Sequence, residues 1–69
     1  MDKLKRGDKV EWNTPQGTTH GTVVRAIRGP AKAGGHTAHA TPQEPQWEVV
    51  SDKTGKSAIH KPDALKKLT

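Results

Sequence analysis

Cysteine, tyrosine and phenylalanine are absent from this 69-residue sequence, and two tryptophans supply all of its aromatic content. Without cysteine the protein has no disulfides, no thiolate zinc ligands and no thiol nucleophile. Small secreted domains usually depend on disulfides, so this composition favours a reducing, cytoplasmic location. The N-terminal residues are followed by no apolar stretch, and we therefore expect no signal peptide.

Long hydrophobic runs are also missing. The longest runs of large apolar residues are two valine pairs, far short of the roughly 20 residues that span a bilayer, so we expect no membrane association. Twelve large apolar side chains can form one small core but cannot enclose a deep active-site cavity. The sequence therefore favours a single domain over residues 1–69 and argues against a conventional enzyme. The twelve are Leu4, Val10, Trp12, Val23, Val24, Ile27, Trp47, Val49, Val50, Ile59, Leu65 and Leu68.

Positive charge is in excess, with 12 lysines and arginines against 7 acidic residues and a net charge of +5. This balance favours weak contact with polyanions such as nucleic acid. Acidic residues are interspersed along the chain, however, and a mixed surface that only keeps the protein soluble is the alternative.

Polar and apolar residues alternate along the first part of the chain, which is typical of β-strands. Residues 9–13 form the first predicted strand, with Val10 and Trp12 on one face. A turn is expected at residues 14–17, where Pro and Gly occupy positions that a type I turn prefers.

The second predicted strand covers residues 18–28. Simple alternation places four of its residues on one face, namely Gly21, Val23, Arg25 and Ile27. A strand of this length with a glycine near its start is expected to bend strongly.

A long, flexible loop is predicted at residues 29–45, because this segment contains no large apolar residue. Loops of this length are often functional, and a loop without a function is the alternative. A short extended piece at residues 36–41 is compatible with the sequence.

Three more strands are predicted at residues 46–51, 56–60 and 66–68. A tight hairpin turn at 51–55 joins the first two, and a 3₁₀ turn at 62–65 precedes the last. Five short, bent antiparallel strands with this turn indicate an all-β, small SH3-like barrel whose closure removes exposed sheet edges. An open meander of three or four strands is the alternative.

Several residue groups in this pattern resemble a known family. They are Gly7-Asp8, Val10, Trp12-Asn13, Gly17, Gly21–Val23 and the blocks 44–49 and 51–65. Over residues 7–68 they are similar to the hypervirulence-associated Tudor-domain family. The long second block is specific, whereas the opening Gly-Asp pattern also occurs in other small barrels. The resemblance implies a Tudor-like, SH3-like barrel and little about chemistry. Family members often carry tyrosine where this chain has Trp47, so an aromatic ring is kept.

The two tryptophans bear on what a Tudor-like domain of this kind can bind. Domains that recognise methylated lysine or arginine surround the cation with several aromatic rings. Trp12 and Trp47 supply at most two, which argues against such recognition. Both are in phase with the apolar faces of their strands, which favours positions in the core. A half-open pocket with two aromatic walls is the alternative, and it requires one exposed indole.

No constellation of residues indicates catalysis or metal binding. Zinc sites normally need three or four protein ligands with supporting contacts, and the histidines at 20, 36, 39 and 60 do not supply such a set. No carboxylate lies in an apolar run that would shift its pKa. We therefore predict no catalytic residue, no metal and no cofactor.

The leading hypothesis is a monomeric, non-enzymatic interaction module that binds a protein segment or a polyanion through its barrel surface. The alternative is a KOW-like small barrel that binds nucleic acid weakly and without sequence specificity. The candidate interaction surface consists of Trp12, Arg25, Arg28, Lys32, His36, His39, Trp47, His60 and Lys61. A basic patch is expected where the first and last segments meet, at Lys3, Lys5, Arg6, Lys66 and Lys67.

Overall fold

Strands and one 3₁₀ turn make up the whole fold in a computed structural model that describes residues 4–33 and 36–68. The elements are β1 Lys9–Thr14, β2 Gly17–Ile27, β3 Pro30–Ala33, β4 His36–His39, β5 Gln46–Ser51, β6 Ser57–His60, the 3₁₀ turn Pro62–Ala64 and β7 Lys66–Lys67. The predicted all-β class and the predicted 3₁₀ turn before the last strand are confirmed.

Five strands form one antiparallel sheet in the order β6-β5-β2-β1-β7, and β3 pairs with β4 in a separate hairpin. The sheet is curled. The rings of Trp12 on β1 and His60 on β6 show this, since their centroids are 5.3 Å apart although β2 and β5 lie between these two strands in the sheet. Within residues 4–33 and 36–68, no strand pairing joins β6 to β7. The predicted closure of the barrel is therefore not observed. The two-residue β7, already paired with β1, offers little backbone for a second ladder.

The turn between β1 and β2 follows the prediction. Pro15 and Gln16 connect Thr14 to Gly17, whose φ of +118° favours glycine. The Thr14 hydroxyl donates to the Gly17 carbonyl at 2.8 Å and accepts from the Gln16 N–H at 3.2 Å. These contacts help to fix the register of the two strands.

The main core lies on the inner face of the curled sheet. Its buried side chains are Val10, Trp12, Val23, Val49 and Leu65. Leu4, Trp47 and Ala58 are partly buried and pack against this cluster. The predicted inward faces of β1 and β5 are thereby confirmed.

A β-bulge corrects the predicted faces of β2. Val23 pairs with Val49, but the next pair along the ladder is Arg25 with Glu48, so Val24 is an extra residue. Because directly paired residues share a face, Arg25 and Ile27 lie on the face opposite Val23, not beside it. The bulge therefore sends Ile27 into a second cluster on the outer face of the sheet.

The predicted flexible loop at 29–45 is wrong for residues 30–33 and 36–39, which form the β3–β4 hairpin. The two strands pair from Pro30 with His39 to Ala33 with His36, and β4 coincides with the extended piece expected at 36–41. The hairpin covers the outer face through small side chains. The second cluster consists of Ile27, Ala38, Ala40 and Ile59, with Ala31 and Ala33 against it. Because most of these side chains are alanines, a pattern of large apolar residues does not reveal this layer.

Replacing Ala38 with aspartate is expected to detach the hairpin while leaving the main core folded. Ala38 is 3% exposed, and a carboxylate there would be buried without compensation. Hydrogen exchange of the β3 and β4 amides should accelerate by about tenfold or more, with little change at Val10 and Val49. Thr37→Asp, at an exposed position next to it, is the control and should have little effect. Equal acceleration throughout the sheet would show instead that the hairpin and the core unfold together.

Candidate functional site

The two tryptophans have different environments. Trp12 is 6% exposed and belongs to the main core, where it packs over Gly21 and against His60. Trp47 is half-buried at the margin of that core, opposite Ala26 and His60 in the sheet. The two indoles line different concavities and do not form two walls of one pocket.

Trp47 contributes to a concavity of about 460 Å³, which we call the Trp47 groove. The groove lies where the end of β2, the start of β5 and the 3₁₀ turn come together. It is lined by Leu4, Arg28, Pro45, Trp47, Pro62, Leu65 and Lys67. Its surface therefore combines an aromatic ring, two leucines and two prolines with two cationic side chains. Such a combination suits a ligand with an apolar anchor and negative charge.

The two cations of the groove differ in how they are held. The Lys67 ammonium lies 3.6 Å from a carboxylate oxygen of Asp8 and is largely covered. The same Asp8 oxygen accepts a hydrogen bond from the Lys5 N–H at 2.9 Å. Arg28 is exposed, and no ion pair engages it within the described part of the chain. Arg28 is therefore the groove cation most available to a ligand.

A second concavity of about 770 Å³ adjoins the first, and we call it the β4 pocket. It lies between β4, the segment before β5 and the 3₁₀ turn, and it shares Pro45 and Pro62 with the Trp47 groove. Its charged or titratable residues are His39, Glu44, Lys61 and Asp63. The two concavities are therefore neighbours on either side of these prolines, and we refer to them together as the depression, whose two parts differ in polarity.

The structure separates the predicted interaction surface into several places. Arg28 and Trp47 line the Trp47 groove, and His39 and Lys61 line the β4 pocket. The other predicted members lie elsewhere: Arg25 is paired with Glu48 at 2.7 Å, Lys32 is exposed on β3, His36 is on β4, and Trp12 and His60 contact each other.

The predicted basic patch brings its chain segments together but mixes their charges. The pairing of β1 with β7 sets Lys66 opposite Glu11 and Lys67 opposite Val10, close to the N-terminal segment. Asp8 lies between Lys67 and the backbone of Lys5, as described above. Lys5 and Arg6 are exposed, whereas the predicted member Lys3 lies outside the described residues. Acidic side chains thus interrupt the cationic surface.

Sequence reasoning did not anticipate the apolar lining of the groove. Leu4, Pro45, Pro62 and Leu65 come from three separate parts of the chain and meet only in the folded protein. The one local signal is Pro45, two residues before Trp47, and the sequence pattern places it at the end of the predicted loop.

The described part of the chain contains neither a metal-binding cluster nor a helix that could span a membrane. Among residues 4–33 and 36–68, no three histidine or carboxylate side chains are grouped so that they could hold a metal ion. The same residues contain no helix with the length and apolar character needed to cross a membrane.

Comparison with known proteins identifies a family and no individual relative. Neither the curated proteins nor the solved structures include a match to this chain. The family described as the TUDOR domain of hypervirulence-associated proteins matches residues 7–65, from the turn before β1 to Leu65 in the groove. That match covers most of the sequence and includes both blocks on which the resemblance rests. The chain therefore belongs to the hypervirulence-associated protein TUDOR domain family.

Proposed function

We propose that this domain is a non-enzymatic binding module that holds an extended, acidic protein segment with an apolar anchor in the Trp47 groove. One observation carries the proposal: a half-buried indole lies in a concave surface with apolar neighbours and two cations. Tryptophan and arginine are the residues that most often dominate the energy of protein interfaces. Both are present here in one groove.

The apolar lining supplies the affinity in this proposal. A leucine or similar side chain entering the groove would remove its own surface and that of Trp47, Leu65 and Pro45 from water. Because Trp47 already packs against the core, little conformational entropy is lost when a ligand covers it. The indole of Trp47 is therefore already held in the position in which it would contact the apolar anchor of a ligand.

The cations of the groove favour partners that carry negative charge. Arg28 is exposed and can form two parallel hydrogen bonds with a carboxylate. Lys67 is held near Asp8, so its charge is fixed in place but partly neutralised. Exposed charges of this kind increase the association rate and favour partners of opposite charge more than they raise affinity.

The nucleic-acid alternative has less support from the arrangement of charges. Lys9, Arg25 and Lys67 each lie within ion-pair distance of a carboxylate. A protein that neutralises several phosphates needs several available cations along one surface. Trp12 is also buried, which leaves Trp47 as the indole that could stack on a base.

Peptide binding by variants of the groove tests this proposal. The probe is a fluorescein-labelled peptide of about eight residues with two central leucines and glutamates on both sides, followed by anisotropy at low salt. Trp47→Ala is expected to weaken binding by about tenfold or more, because the anchor surface is lost. Arg28→Gln should weaken it by about three- to tenfold.

Lys32→Gln is the matched control, since it removes one exposed cation of β3 that lies outside the groove. It should leave peptide binding nearly unchanged. Equal losses for Arg28→Gln and Lys32→Gln, with short duplex DNA bound as tightly as the peptide, would contradict the proposal. That result would support the KOW-like alternative instead.

A further inference from the structure

The depression that contains Trp47 continues beyond the groove. Pro45 and Pro62 line both the Trp47 groove and the β4 pocket, so a chain that covers Trp47 can continue across these prolines without leaving the surface. An extended segment advances about 3.3 Å per residue. About eight residues would therefore extend about 26 Å, within the 30 Å length of the domain.

Charge changes sign along this depression. Arg28 and Lys67 line the end at the Trp47 groove. Glu44 and Asp63 line the other end, in the β4 pocket. Neither of these carboxylates takes part in an ion pair within residues 4–33 and 36–68. The Trp47 groove thus offers one available cation, Arg28, beside the partly neutralised Lys67, and the β4 pocket offers two available carboxylates.

The β4 pocket also contains His39 and Lys61, and the ammonium of Lys61 reduces the negative charge of the pocket without cancelling it. Two carboxylates face one ammonium group there, and Lys61 is exposed on a long, flexible side chain that can turn toward water. Its ammonium is not within ion-pair distance of Glu44 or Asp63. A ligand cation can therefore approach the two carboxylates.

We propose that the bound segment carries charges in the complementary order: carboxylates beside Arg28 and Lys67, an apolar residue on Trp47, and lysine or arginine beside Glu44 and Asp63. This inference rests on the proposed function and narrows it, since it confines the acidic residues of the partner to the side of the anchor near Arg28 and adds basic residues on the other side. The partner is a mixed-charge protein segment with its acidic and basic residues on opposite sides of an apolar anchor. A uniformly acidic segment would place negative charge against Glu44 and Asp63 and would bind less well.

Three peptides of equal length and with the same central leucines test this pattern. One carries glutamates on both sides, one carries glutamates on one side and lysines on the other, and one carries lysines on both sides. Binding to the full chain is measured by anisotropy at low salt. The mixed peptide is expected to bind about three- to tenfold more tightly than the all-glutamate peptide. This is the gain in affinity expected from two exposed ion pairs between peptide lysines and the carboxylates of Glu44 and Asp63.

The double variant Glu44→Gln and Asp63→Asn should abolish this preference by weakening binding of the mixed peptide alone. The all-glutamate peptide should bind the double variant as well as, or better than, the unmodified protein. Asp52→Asn is the control, because it removes an exposed carboxylate that lies outside both concavities. It should preserve the preference for the mixed peptide.

The outcomes separate this inference from the function on which it rests. If the all-glutamate peptide binds more tightly than the mixed one, the charge order is overturned and the acidic-segment proposal stands. If the preference survives in the double variant, the assignment to Glu44 and Asp63 is overturned. If no peptide binds, or the all-lysine peptide binds best, both proposals fall.

Discussion

Truncating Trp12 to alanine is expected to lower the free energy of unfolding by about 3–5 kcal/mol. Trp12 is 6% exposed, lies in the main core with Val10, Val23 and Val49, and contacts the ring of His60. Few other large side chains are available to refill the cavity, because the whole sequence contains twelve. A domain this small has a total stability of roughly the same size, so the variant should be largely unfolded at 25 °C.

Urea-induced unfolding followed by circular dichroism measures this effect. Trp12→Phe leaves a smaller cavity and should lose about 1–2 kcal/mol, which keeps the loss measurable in a folded protein. Trp47→Ala is the comparison, and its half-buried ring should cost about 1–1.5 kcal/mol. If Trp47→Ala destabilised the protein as much as Trp12→Ala, Trp47 would be a core residue and not the anchor surface of the groove.

Replacing Gly21 with alanine is the second change with a large expected effect. A Cβ atom at position 21 would overlap the Val50 carbonyl oxygen and lie 2.6 Å and 2.9 Å from two ring atoms of Trp12. The carbonyl belongs to the backbone of β5, and the ring is held by the core, so neither can move without disturbing its neighbours. We expect a loss of about 2–4 kcal/mol in the free energy of unfolding.

Gly29→Ala is the matched control for Gly21→Ala. Among the residues that the structure describes, and apart from the two chain neighbours of Gly29, no atom lies within 4 Å of a Cβ placed at position 29. The substitution should leave stability unchanged or raise it by about 0.5–1 kcal/mol, because alanine restricts the unfolded chain. The same urea titrations compare both variants. Equal small effects would show that β2 and β5 can separate enough at Gly21 to admit a methyl group.

Much of the sheet could be predicted because its signals are local. In β1, Val10 and Trp12 alternate with polar residues, and the turn after it is set by Pro15 and Gly17. In β5, Trp47 and Val49 alternate with glutamine and glutamate in the same way. Side-chain direction in a strand follows from neighbouring residues alone, so such segments can be interpreted without knowledge of their partners.

The outer layer could not be predicted in the same way. The bulge at Val24 interrupts the pairing of β2 with β5, and it moves Ile27 to the opposite face of the sheet. The β3–β4 hairpin covers Ile27 and Ile59 with alanines, whose contribution depends on what they contact more than on their own hydrophobicity. Both features follow from pairing between residues that are distant in the sequence. The alternation of polar and apolar residues along one strand contains no information about such pairing.

The properties of the candidate site can likewise be separated into those set by the sequence and those set by the tertiary structure. The sequence by itself determined the strands of the five-stranded sheet, the turns between them, the excess of positive charge and the scarcity of aromatic rings, because each depends on residue type and near neighbours. Only the tertiary structure decided that Trp12 is buried in the core while Trp47 is half-buried at its margin, and that Leu4, Pro45, Pro62 and Leu65 meet around Trp47. It also separated the cations of this depression from its carboxylates. These outcomes depend on how the sheet curls and where its segments cross, and so on contacts between residues far apart in the chain.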